Sequence, residues 1–209
     1  MKSVRYSVTS IDPSGWTVWP VRTRLSGMKK HIFAAISALA VLAIPSASQA
    51  ELAVGAQAQN FSTRAALAGK DLAFNLQAAL RKGPVVLYFY PKAFTQGCTL
   101  EARAFSEAHD QFAAAGATVI GLSADDVATL KRFSTEECRG KFAVGVATPG
   151  IIGAYDVALK RQGMPEGMAN RVSYVIGQDG RVRFVHSDLD YRDHVRLALE
   201  AVRALTPPR

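Results

Sequence analysis

Residues 88–105 read YFYPKAFTQGCTLEARAF, and the chemistry of the chain is concentrated there. Cys98 follows an apolar run that ends at Pro91, and it stands where a helix is expected to begin. The thiolate is the nucleophilic form of cysteine. A helix N-terminus favours that form through unpaired N–H groups and about half a positive charge. Gly97 lets the backbone come close just before the sulfur, and the Thr95 hydroxyl can both donate to and accept from a small polar ligand.

Set out at about 100° per residue, Leu100, Ala104, Phe105, Ala108, Phe112 and Ala115 form one stripe. Glu101 falls inside it, near the angle of Cys98. A buried carboxylate is costly unless paired, and alone it would oppose ionisation of the thiol beside it. Either Glu101 stays wet in the first turn, where acids suit the helix dipole, or it is buried against a cation. Arg171 is the candidate cation, because a guanidinium can bridge a carboxylate and a sulfur at once.

The other cysteine is Cys138. In an exported chain two cysteines are expected to pair, so a structural disulfide is one reading of them. A dithiol oxidoreductase is another, but it needs a CxxC pair and residues 98–101 are Cys-Thr-Leu-Glu. The segment HSDLDYRDH (186–194) lacks a metal-ligand spacing. It reads as a hairpin end and helix cap with solvated charge. Met164 and Met168 form either a mobile cover or an apolar rim.

The elements that must position Cys98 alternate clearly. VVLYFY (85–90) and TVIGLSA (118–124) are expected as buried strands, with a helix from Leu100 to Ala115 between them that Gly116 stops. Ser123 and Asp126 resemble an N-cap and its partner, opening a helix through Val127, Leu130 and Phe133. A short helix is expected over Ile151 to Leu159. VSYVIG (172–177) and RVRFVHS (181–187) flank a hairpin turn at Gln178-Asp179-Gly180, and a last helix runs from Tyr191 to Leu205. Residues 54–80 read as short strands or turns and a brief helix. This order predicts a central mixed sheet with helices on both faces.

The chain has 209 residues and a formal charge of +8. Residues 28–50, MKKHIFAAISALAVLAIPSASQA, carry a basic start, an apolar middle and a small-residue cleavage site, which predicts a secretory signal cut after Ala50. Residues 1–27 then read as a mis-called extension, and residues 51–209 as one domain. Residues 1–50 hold six Lys/Arg and one Asp, so the remainder carries 19 basic and 16 acidic residues, +3. Its basic residues are scattered, which argues against a nucleic-acid partner. An apolar run interrupted at Pro45 argues against a stable membrane span.

The stretch YPKAFTQGCTLEARAF resembles the peroxidatic signature of peroxiredoxins, a Pro, three residues, Thr, two residues, Cys, at Pro91, Thr95 and Cys98. The CTLEA continuation is similar to the bacterioferritin-comigratory, or PrxQ-type, branch, and the likeness runs over nearly all of residues 54–205. It implies a thioredoxin-like α/β fold and reduction of hydrogen peroxide or organic hydroperoxides, with no cofactor. On this resemblance Cys98 is the nucleophile, Thr95 holds the peroxide, Pro91 shields the sulfur, and Glu101 orients Arg171. Many branch members place a resolving cysteine five residues after the first; here that position is Arg103. The resemblance then leaves Cys138 as the resolving thiol, after partial unwinding of the Thr135 to Gly140 segment. It also implies an external dithiol or small-thiol reductant, thioredoxin-like or glutathione-type, a monomer or simple dimer, and, with the signal, an exported and periplasmic setting.

Overall fold

The computed structural model describes residues 51–205; the expected extension and signal segment lie outside the described residues. Seven strands form one sheet in the order β2-β1-β5-β4-β3-β6-β7. The strands are β1 (Ser62–Leu67), β2 (Lys70–Asn75), β3 (Val85–Phe89), β4 (Thr118–Ser123), β5 (Ala143–Val146), β6 (Val172–Ile176) and β7 (Val182–Ser187). β3, β4 and β5 run parallel, and β1, β2, β6 and β7 join antiparallel at the two sides. The sheet is therefore mixed, as the order of elements predicts. The four-residue β5 had no counterpart in the sequence reading.

The helices are α1 (Leu76–Leu80), α2 (Gln96–Ala114), α3 (Val127–Glu136), α4 (Pro149–Ala154) and α5 (His194–Leu205). Alternation along β3 divides the interior in two. Val85, Leu87 and Phe89 join one cluster with Leu76 of α1 and Ile151 and Ile152 of α4. Val86 and Tyr88 join the other, with Phe105 and Phe112 of α2, Phe133 of α3 and Val202 of α5. All five β3 residues are buried, which is what a central strand covered on both faces requires. Cys98 and Cys138 both belong to the second cluster.

Local chemistry sets the ends of these elements, and in places moves them from the expected positions. Asp126 caps α3, accepting from Thr129 N at 2.8 Å. Ser123 is not the cap; it ends β4 and donates to Asp125 at 2.8 Å. α4 stops at Ala154, short of the expected Leu159, and Asp156 just beyond has left-handed φ. α5 begins at His194, not Tyr191. The β6–β7 turn closes as expected through Gly180, whose φ of 77° suits glycine.

The buried face of α2 is rotated from the expected stripe. Cys98, Glu101, Ala102, Phe105, Ala108 and Phe112 face inward, while Leu100 is 37% exposed. Among the described residues no helix is long and apolar enough to cross a membrane.

Candidate active site

The loop between β3 and α2 is held by short polar contacts. Asp125 accepts from Ala93 N at 2.7 Å and from the Ser123 hydroxyl, which ties the loop to the end of β4. Thr95 Oγ1 donates to Lys92 O at 2.9 Å. Phe94 takes a left-handed φ of 63° and sets its ring edge-on against Phe133, with centroids 5.2 Å apart. So fixed, the chain enters α2 with Thr95 at the N-cap, and Cys98 lies in the first turn.

Arg171, just before β6, crosses to that turn, where two of its three nitrogens bond. Nη1 donates to Glu101 Oε2. Nη2 donates to Cys98 Sγ at 3.5 Å, and Nε donates to Leu189 O at 2.9 Å. All three site side chains are inside the protein: Glu101 is 0% exposed, Cys98 2% and Arg171 5%. Glu101 is thus not the wet first-turn acid; it is the buried partner of a cation. A Cβ at Gly97 would stand 3.1 Å from Arg171 Nη2, so the missing side chain is what lets the guanidinium reach the sulfur.

The electrostatics follow from burial and this fork. Burial pushes the Glu101 carboxyl up, Arg171 pulls it back by charge and hydrogen bond, and the net position is about 8. Burial works against the Arg171 charge, but Glu101 and then Cys98 more than offset it and hold the guanidinium above its ordinary range. The arrangement places one fixed cation and the start of a helix at one sulfur. That pair can stabilise a thiolate and a second negative charge developing next to it.

Thr95 is exposed beside the turn, and Pro91 is half-buried on the loop. Pro91 also lines a groove of about 750 Å³ with Phe94, Asp126, Arg132, Pro165 and Met168. Met168 therefore borders the loop that leads to Cys98.

The sequence profile of the AhpC/TSA family matches residues 54–185. The chain belongs to this family. Peroxiredoxin Bcp of Bacillus subtilis is 32% identical over 133 residues, 58% of this chain and 79% of that protein. The chloroplastic Peroxiredoxin Q of Oryza sativa subsp. japonica is 32% identical over 127 residues, and the match spans 55% of its length, about half. Among solved structures, the peroxidoxin BcpB of Mycobacterium tuberculosis superposes with a TM-score of 0.65 at 29% identity. That superposition covers 73% of this chain and 97% of the other.

In this AhpC/TSA chain both cysteines are free and buried, so the structural disulfide is not what the structure contains. Cys138 directly follows the C-cap of α3, 0% exposed, and burial, with Glu137 adding, pushes its thiol well up. Four polar contacts tie its segment to one side of α2. Arg103 Nε meets Glu137 Oε2 at 2.7 Å, and the Ser106 hydroxyl donates to Cys138 O at 3.1 Å. Arg139 meets Glu107 at 3.5 Å and Lys141 meets Asp110 at 3.4 Å. Ser106 is eight residues past Cys98, which at 1.5 Å of rise per residue is roughly 12 Å along α2. A disulfide needs Cα atoms within about 7 Å, so the two sulfurs join only if the segment moves.

Two residues at the site escaped the sequence reading. Asp125 pins the loop that leads to Cys98. His194, expected among solvated charges, is 0% exposed, contacts Ser173 and lies 3.8 Å from Glu101. Among the described residues no group of three or more His, Cys, Asp or Glu is arranged to hold a metal ion.

Proposed function

We propose that the chain is a thiol-dependent peroxidase that reduces hydrogen peroxide and organic hydroperoxides, with Cys98 as nucleophile and Cys138 as resolving thiol. The observation that carries the reading is the Arg171 guanidinium at 3.5 Å from Cys98 Sγ, fixed by Glu101 at the start of a helix. The thiolate attacks the near peroxide oxygen. An S–O bond forms, the O–O bond breaks, and the electron pair leaves on the far oxygen, which takes a proton and departs as water or an alcohol. Arg171 and the helix-start N–H groups stabilise that oxygen as charge develops, and the Thr95 hydroxyl positions the peroxide. Cys98 is left as sulfenic acid.

Cys138 then loses its proton and attacks the Cys98 sulfur, a disulfide forms, and hydroxide leaves with that proton as water. An external dithiol or small thiol returns both sulfurs to thiols and is itself oxidised. No bound cofactor enters these steps. The setting we propose is exported and periplasmic, supported by the basic, apolar and small-residue pattern of residues 28–50. The state we propose is a monomer or simple dimer.

Stopped-flow mixing of the reduced full chain with hydrogen peroxide, followed by mass spectrometry, tests the reading. Cys98→Ser abolishes peroxide consumption. Cys138→Ser oxidises once and accumulates sulfenic or more oxidised Cys98. If Cys138→Ser turns over with a dithiol as fast as the parent, Cys138 is not the resolving thiol. N-terminal sequencing of protein recovered from its native compartment tests the cleavage after Ala50.

A further inference from the structure

The Arg171 fork leaves one atom unaccounted for. Glu101 Oε2 accepts from Arg171, but Oε1 is buried with no hydrogen-bond partner. The atom facing it is His194 Nδ1, 3.8 Å away, longer than a hydrogen bond. What that nitrogen carries is fixed by its far side. His194 Nε2 lies 2.9 Å from Asp188 O, and a carbonyl only accepts, so Nε2 bears the hydrogen. In the neutral ring Nδ1 then presents a lone pair, to which the Ser173 hydroxyl donates at 2.8 Å.

An ionised Glu101 would therefore aim a charged oxygen at a lone pair, with no donor, inside the protein. The charge count points the same way. A Cys98 thiolate and a Glu101 carboxylate together give two negative charges against the single positive charge of Arg171. With Glu101 neutral, the buried cluster sums to zero. Unpaired buried charge is far more costly than an extra bound proton.

We infer that Glu101 carries a proton on Oε1, facing His194 Nδ1, whenever Cys98 is a thiolate, and that this proton leaves the Arg171 charge to the sulfur. His194 is a positioning residue: its fixed tautomer withholds the N–H that would stabilise the carboxylate and let it compete for Arg171. The inference rests on Cys98 reacting as a thiolate.

The surroundings fit a neutral pair. Glu101 faces Arg171 from the approach to β6, His194 from α5 and the Tyr88 phenol from β3; Arg171 also reaches Cys98 on the helix of Glu101, and Ser173 of β6 contacts His194. His194 faces Arg171, the His186 ring at 4.5 Å from β7, and Asp188. The Asp188 carbonyl and carboxylate favour an imidazolium, while His186 and Arg171 oppose it. Burial, more than either, holds the His194 ring down to about 4, while the Glu101 carboxyl stands at about 8.

Infrared difference spectroscopy and thiol alkylation of the full chain, neither of which uses peroxide, test the inference apart from the peroxidase reading. In a Cys138→Ser background at neutral pH, the reduced protein should show a protonated-carboxyl stretch that disappears in Glu101→Gln. Glu101→Gln, the neutral isostere, should be alkylated at Cys98 by iodoacetamide at least as fast as the parent. His194→Gln, whose amide can turn an N–H toward Glu101, should slow alkylation by about tenfold, equivalent to one pKa unit. Glu101→Gln added to His194→Gln should restore the rate. Absence of the carboxyl band, or a tenfold slower alkylation in Glu101→Gln, overturns the inference. Should His194→Gln fail to fold, the band and the Glu101→Gln rate decide it.

Discussion

Arg171 Nη2 stands 3.5 Å from Cys98 Sγ, and it can do so because residue 97 has no side chain to hold it off. The Cys98 sulfur is thus matched to a cation that enters from the start of β6 and is fixed by Glu101 on one nitrogen and the Leu189 carbonyl, just past β7, on another.

Replacing that cation should cost most of the first chemical step. Arg171→Met is expected to lower the second-order rate with hydrogen peroxide by about 10²–10³, the scale of losing one preplaced donor at a developing charge. Arg171→Lys should recover little, since an ammonium cannot bridge two partners as a planar fork does. Single-turnover stopped-flow on reduced protein measures both.

Gly97→Ala separates reactivity from stability. A methyl group 3.1 Å from Nη2 forces the guanidinium back by a few tenths of an ångström. Alanine is nonetheless the better helix former, by about 1 kcal/mol. The peroxide rate should fall several-fold while thermal unfolding stays level or rises. A parallel fall in both would mean that Gly97 serves packing alone.

The segment carrying Cys138 should be released by weakening its hold on α2. The Arg103 side chain is 46% exposed, so its pair with Glu137 contributes about 1 kcal/mol or less. Arg103→Ala is therefore expected to speed sulfenic acid decay by up to about fivefold, with a smaller yield of overoxidised Cys98 at excess peroxide. Time-resolved trapping of the sulfenic acid reads the rate. An unchanged decay would place the slow step elsewhere.

The Glu101–His194 pair predicts a specific dependence of stability on pH. Glu101 is raised from 4.5 to about 8, so its share of stability is full below 4.5 and lost as pH rises through 8. His194 is lowered from 6.5 to about 4, so its share is full above 6.5 and lost as pH falls through 4. Between 4.5 and 6.5 the two slopes cancel, because the folded and unfolded pair each bind one proton. From 6.5 to 8 only the folded pair holds it, and stability should fall by about 2 kcal/mol. Urea unfolding at pH 5.5, 6.5 and 8, compared with the Glu101→Gln, His194→Gln double variant, isolates this share as the part that flattens.

Much of this site could be read from residue types and spacing, and the failures have physical causes. A carboxylate on an apolar stripe, as Glu101 is, needs a partner, and Arg171 is that partner. Leu100 belongs to the same stripe by periodicity and is exposed, because α2 turns Cys98 and Glu101 inward toward the guanidinium and carries Leu100 out. β5 is not legible, since AVGV is too short to show a period. The burial of His194 is not legible because, besides the nearby Asp188 carbonyl, its partners Ser173 and Glu101 come from β6 and α2. No local pattern carries that information.

The contacts between α2 and the 137–141 segment differ from the Arg171 fork in one respect that bears on how the protein behaves in its surroundings. Three of the four are ion pairs with solvent-facing ends, and such pairs weaken as ionic strength rises. Arg171 and Glu101 are sealed from the medium and are screened far less. In the proposed cycle, capture of the oxidant would be insulated from dissolved salt, whereas closing of a Cys98–Cys138 disulfide would be exposed to it, so the lifetime of the oxidised intermediate would follow the salinity outside the fold.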